Sequence, residues 1–216
     1  MNAAPLAVFK CAFGGRDGWG HVVRSSALAG SFQRAGWRAE LWTASDPRAL
    51  PSEITNRFER VADSLALAAE VVVVDEMYTP DEAFAELRAE ATSGGESRFL
   101  VGIDDMQRRS MRAFDAVVNT ELGLRAASYA PKIQLLGERY ALLREGFEKP
   151  AALDPWPLSK SRLSALVMIG GTDAFSYSRR ALEELWRWRG DAVAPALVLG
   201  AASASRAESL AELSRF

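Results

Sequence analysis

The residues best placed to do chemistry stand at Gly14-Gly15-Arg16-Asp17-Gly18-Trp19-Gly20-His21-Val22-Val23-Arg24. The stretch follows an apolar run from Leu6 to Phe13 and precedes apolar positions at helical spacing. It therefore reads as the turn from a first strand into a first helix. Glycines let a backbone turn tightly and approach a ligand closely. The start of a helix offers free N–H groups and a positive dipole end to phosphate or carbonyl oxygens. Gly18 and Gly20 are accordingly candidate substrate-binding positions. The spacing departs from the dinucleotide fingerprint, whose third glycine falls further on, so a nicotinamide site is a poor reading. His21 stands where its imidazole would reach a ligand held by the loop. Imidazole exchanges a proton near neutral pH, which suits a base acting on water or a hydroxyl. The competing role for a histidine here is a helix cap bonded to the backbone.

Other polar residues gather where apolar runs end. Asp75 closes Val71 to Val74, with Tyr78 just beyond, and Asp104-Asp105 closes Phe99 to Ile103. Either acidic end could hold a sugar hydroxyl or orient His21. Neighbouring strand residues point to opposite faces, so Asp104 and Asp105 do not work as a paired acid and base. An aspartate such as Asp105 after a strand also commonly caps the next turn. Gly170-Gly171-Thr172-Asp173 resembles an oxyanion-holding turn before a helix, capped by Thr172 or Asp173. With one histidine and one cysteine, Cys11, the chain has no multi-histidine zinc chemistry, Cys-based metal site or internal disulfide.

Elements must position these groups, and the composition allows them. The 216 residues are 49% hydrophobic and 25% charged, which excludes disorder as the main state. At about 150 residues per domain, one large domain or one and a half are allowed. Lys and Arg number 26 against 28 Asp and Glu, a net charge of −2, so no field gathers polyanions and no nucleic-acid partner is expected. No apolar run approaches the about 20 residues of a membrane helix, and the N-terminus lacks the basic and apolar regions of a secretion signal. The expectation is a cytoplasmic protein with no membrane partner.

Short apolar runs alternate with amphipathic stretches. Strands are predicted at Leu6 to Phe13, Arg38 to Thr43, Val71 to Val74, Phe99 to Ile103, Ala116 to Asn119 and Ile133 to Leu136. Helices are predicted at His21 to Ala35, stopped by Gly36, and at Asp81 to Ala91, while 46–62 reads as irregular with one short helix. This alternation predicts an α/β fold around a parallel sheet, which binds ligands at the carboxyl ends of its strands. A proline-rich linker spans 149–162 and separates a first domain, 1–148, from a partial second one, 163–216. That part repeats the pattern: strands at Leu163 to Ile169 and Pro195 to Leu199, helices at Ser176 to Arg189 and Ser205 to Phe216. Two strands make too small a sheet to bury its own faces.

Taken together, these residues resemble one family. Gly18-x-Gly20-His21-Val22-x-Arg24 with Ala27-Leu28-Ala29 is similar to the opening of the UDP-2,4-diacetamido-2,4,6-trideoxy-β-L-altropyranose hydrolases of pseudaminic acid biosynthesis, which have relatives in spore-coat polysaccharide synthesis. In the same order, Val74-Asp75 with Tyr78, Ile103-Asp104-Asp105, Leu136-Gly137-x-x-Tyr140-Ala141-Leu142-Leu143-Arg144-x-x-Phe147 and Gly170-Gly171-Thr172-Asp173 look like further family segments. Two residues separate Asp75 from Tyr78 where the family has one.

The resemblance implies a GT-B architecture, in which two Rossmann-like domains hold a nucleotide sugar between them. The activity implied is hydrolysis of a UDP-sugar with inversion, without metal or other cofactor. His21 becomes the base for water and Tyr78 its partner near the reacting centre. Gly18, Gly20, Arg24, Asp75, Asp105, Gly170, Gly171, Thr172 and Asp173 become substrate-binding residues. The family's second domain runs further than the strand–helix pattern after residue 163. Two other readings follow: a GT-B glycosyltransferase, with a sugar hydroxyl in place of water, and a non-catalytic sugar-nucleotide binder that self-associates or needs a partner chain to complete its second domain.

Overall fold

Short apolar runs, too short for helices, form the strands of the sheet in the first unit. The structure is a computed structural model that describes residues 3–14, 17–66, 68–92, 97–107, 109–147, 163–170 and 177–200. The chain divides into two compact units, one of residues 1–12 with 21–148 and the other of residues 13–20 with 149–216.

In the first unit, strands β1 (Leu6–Cys11), β2 (Arg38–Trp42), β3 (Arg60–Ala62), β4 (Val71–Asp75), β5 (Phe99–Ile103), β6 (Ala116–Asn119) and β7 (Ile133–Leu136) form one sheet. Its order is β3-β2-β1-β4-β5-β6-β7 and every pairing is parallel. Helices α1 (Gly20–Arg34), α2 (Ser52–Thr55) and α3 (Asp81–Thr92) connect the strands. A parallel sheet needs both faces covered, and its strands are accordingly apolar on both sides. On one face Leu6, Val8, Val72, Val74 and Leu100 pack with Phe84, Leu87 and Ala91 of α3. On the other, Phe9 meets Phe32 of α1 edge-on at 5.6 Å and Phe58 at 6.0 Å. Helices α1 and α3 therefore lie on opposite faces. The α/β fold is doubly wound, with its switch point between β1 and β4, where such sheets bind ligands.

Helix α1 stops where the sequence predicts. Gly36 takes a φ of 86°, its N–H bonds the Gln33 carbonyl at 2.9 Å, and the Trp37 N–H bonds that of Phe32 at 3.0 Å. This is a Schellman cap, which needs the left-handed residue that glycine supplies without strain.

The second unit contains β8 (Leu163–Met168) and β9 (Val193–Val198), which pair in parallel and are joined through helix α4 (Tyr177–Arg189). The predicted linker 149–162, the helix at Ser205 to Phe216, and Gly171, Thr172 and Asp173 lie outside the described residues. Among the described residues, no helix is long and apolar enough to cross a membrane.

Candidate active site

The site grows from the carboxyl ends of β1 and β4. Cys11 is paired across the ladder with Asp75, so the carboxylate sits at the last rung of the central strands. His21 is the second residue of α1, and one helical turn later Arg24 shares its face. The predicted backbone cap is not the contact found for the His21 side chain: His21 Nδ1 lies 2.7 Å from Asp75 Oδ1, with both groups buried. Arg24 grips the same carboxylate through Nε and Nη2. Its Nη1 reaches Asp105 at 2.9 Å and 2.7 Å, one contact to each carboxylate oxygen.

Charge decides the proton positions. Burial alone would raise the Asp75 carboxyl, but hydrogen bonds from Arg24 and His21, and the Arg24 charge, hold it below the usual carboxylate range. An ionised carboxylate only accepts, so Nδ1 carries the hydrogen and donates it to Asp75. Nε2 is then the basic nitrogen of the neutral ring. The 3.2 Å approach of Arg24 Nη2 to Nδ1 is a packing contact, because both atoms bear hydrogens. Burial by itself would lower the Arg24 guanidinium, but its bonds to Asp75 and Asp105 push it above its ordinary value. With neutral His21, two carboxylates face one guanidinium. A proton accepted on Nε2 makes the four-residue cluster neutral, and Asp75 stabilises the imidazolium that forms.

Asp105 and Asp104 part company, as the strand alternation predicts. Asp105 turns to Arg24, whereas fully buried Asp104 takes Arg109 at 2.7 Å, the Tyr129 hydroxyl at 2.8 Å and the Gln107 N–H at 2.9 Å. The capping role open to Asp105 thus belongs to Asp104. Tyr129 in turn accepts from Asn119 Nδ2 at 2.8 Å, and Arg109 Nη1 donates to the Glu76 carbonyl at 2.6 Å. This second network ties the ends of β4, β5 and β6 together behind the site. Sequence reasoning missed Arg109, Tyr129 and Asn119. The available signal was Asn119, a polar residue ending an apolar strand. Lys10, paired with Glu76 and lying 5.0 Å over the Trp42 ring, extends the polar edge toward β2.

Of the predicted site residues, then, His21, Arg24, Asp75 and Asp105 meet in one cluster. Tyr78 lies in the loop between β4 and α3 with 52% of its surface exposed. Gly18 belongs to a closed turn in the second unit: Gly14 N–H donates to the Gly18 carbonyl at 2.7 Å and Gly18 N–H to the Gly14 carbonyl at 3.1 Å. A substrate oxygen would therefore compete with Gly14 for the Gly18 N–H. Gly20 opens α1, and Gly170 follows β8. No known protein family, curated protein or solved structure compared with the chain matches it.

The cluster can do proton chemistry. Asp75 fixes ring orientation and tautomer, and Arg24 fixes Asp75. Among the described residues no group of three His, Cys, Asp or Glu side chains could hold a metal ion. Cys11 supplies no nucleophile, because burial and then the Asp75 charge push its thiol up to about 12.

Proposed function

We propose that the protein is a hydrolase of nucleotide sugars, with His21 as the base that activates water. The observation that carries this reading is the His21–Asp75 contact of 2.7 Å at the carboxyl ends of the two central strands. A doubly wound sheet binds ligands there, and a histidine so oriented presents Nε2 as an acceptor. The ordered motifs from Gly18 to Asp173 support a UDP-sugar of the diacetamido-trideoxy-hexose kind as the substrate, in a GT-B arrangement of two Rossmann-like domains.

In this mechanism Nε2 takes a proton from water as the water oxygen bonds the anomeric carbon. The bond from that carbon to the diphosphate oxygen breaks, UDP leaves with the electron pair, and the configuration inverts. UDP is already a good leaving group, so the protein's work is to place the water and stabilise the diphosphate. Tyr78 serves beside the reacting centre, while Gly20 contributes a backbone donor. Arg24 and Asp105, assigned to substrate from the motif, act as positioning residues because Arg24 binds Asp75 and Asp105 binds Arg24.

The test is release of UDP from a panel of UDP-sugars, followed by chromatography, with the anomer formed read by NMR. His21→Ala is expected to abolish release while far-UV circular dichroism stays unchanged. Turnover equal to that of the parent removes His21 as the base.

The second unit favours a further possibility, assembly with another copy or a partner chain. Leu166, Met168 and Val198 share one face of the β8–β9 pair and are 59%, 65% and 47% exposed. Light scattering that gives a monomer at every concentration tested counts against self-association.

A further inference from the structure

We propose that a cavity on the flank of α1, separate from the His21 cluster, binds a small phosphomonoester. The cavity holds about 360 Å³, within the range of small-ligand sites, and belongs wholly to the first unit. Its lining has two characters. Val23, Ala27 and Ile54 give it an apolar wall, and Arg34, Arg57 and Arg144 give it three guanidinium groups against the two carboxylates of Glu53 and Glu145. Such a pairing suits a ligand with an anionic head and an apolar or flat body. Planar guanidinium forks match phosphate oxygens in particular.

Gly30 marks where the head would sit. A methyl group there would lie 3.6 Å from Arg57 Nη1 and 3.7 Å from Arg34 Nη1, so two like charges converge on one point above the helix backbone. Arg57 is held by Glu145 at 3.1 Å, but both side chains are well exposed to solvent. Exposed pairs of this kind are weak, and a dianion can replace Glu145. Arg144 comes from the Leu136 to Phe147 segment, for which the proposed reaction has no use. Its guanidinium lies 5.2 Å over the Phe147 ring.

The site stands apart from the chemistry. Gly30 stands nine positions beyond His21, roughly 13.5 Å along the helix at about 1.5 Å per residue. Val23, in the cavity wall, lies between His21 and Arg24 in sequence, so an occupant touches the helix that carries both.

Isothermal titration and thermal unfolding of the full chain with AMP, adenosine and inorganic phosphate provide the test. AMP is expected to bind with a submillimolar Kd and raise Tm, with adenosine and phosphate each at least tenfold weaker. Arg34→Ala/Arg144→Ala is expected to weaken AMP at least tenfold, and His21→Ala to leave its affinity unchanged. Gly30→Glu, which favours the helix and places a carboxylate between the guanidinium groups, is expected to abolish binding in case the double variant does not fold. The proposal is overturned by no saturable AMP binding, by equal binding of adenosine or phosphate, or by AMP affinity that survives in the folded variants. It is equally overturned if His21→Ala removes AMP binding. None of these outcomes depends on whether UDP-sugars are hydrolysed.

Discussion

At the scale of single residues, Asp75 carries the most. It is the acceptor for His21 and Arg24 at once, and it is 1% exposed, so water cannot replace either partner. Asp75→Asn presents an amide that cannot accept from both groups and satisfy its own donors. The wrong His21 tautomer then becomes available, and a loss of hydrolysis on the order of 10⁴-fold is expected, as for the equivalent change in serine proteases. Arg24 keeps Asp105 as its counter-charge but loses its two contacts to the Asp75 carboxylate. The pH dependence separates this role from a simple packing effect. The folded Asp75 carboxyl lies below its ordinary value, so its contribution is complete above the unfolded pKa of about 3.9 and disappears as pH falls through the folded one. The Tm difference between parent and Asp75→Asn should therefore shrink as pH falls below about 5. A difference that stays flat to the lowest pH would mean that the carboxylate's charge is not what stabilises the fold.

At the scale of elements, the strands with strong apolar runs were legible and their neighbours were not. The segments at Arg38, Val71, Phe99, Ala116 and Ile133 begin where periodicity places them, because a central parallel strand must be apolar on both faces. Strand β3 was invisible. Arg60–Ala62 is three residues long and opens on an exposed arginine, and it is a strand because β2 offers it an edge. Cys11, rather than Phe13, ends β1 for a similar reason, since its pairing with β4 stops at Asp75. The site was half legible. The glycine loop pointed to His21 and the strand ends to Asp75 and Asp105, but only the β1–β4 adjacency shows that Arg24 joins the acids instead of waiting for a substrate. Gly137, in the Leu136 to Phe147 motif, shows what such a segment can encode. Its φ is 91°, and an added Cβ would lie 2.6 Å from the Leu124 carbonyl oxygen. Backbone cannot yield as a side-chain tip can. Gly137→Ala is expected to cost at least about 2 kcal/mol in urea unfolding, from left-handed strain together with the clash. A change under about 0.5 kcal/mol would show that the turn relaxes freely.

At the scale of the whole chain, the two units differ in what they can support alone. The first has seven strands, helices on both faces and a continuous core from Leu6 to Leu136. The second, in its described residues, has two paired strands and one helix. A two-stranded sheet is at best marginal in water, and three or more strands with a covered face are needed for independent stability. A fragment of residues 1–148 is therefore expected to unfold in a single cooperative urea transition. A broad, non-cooperative transition would mean that the first sheet needs residues beyond 148 to fold. The cut also tests where the chemistry resides. His21, Arg24, Asp75 and Asp105 all belong to the first unit, while Phe13–Gly20 belongs to the second. The ¹⁵N signals of the His21 ring in fragment 1–148 should then keep the Nδ1–H tautomer, because its cause, the Asp75 carboxylate, is still present. On the proposed function UDP-sugar hydrolysis should be lost, because the family resemblance behind that reading assigns a substrate contact to Gly170, which the cut removes. If the tautomer is lost as well, residues beyond 148 help to hold the His21–Asp75 pair together, and the cluster is not a property of the first sheet alone.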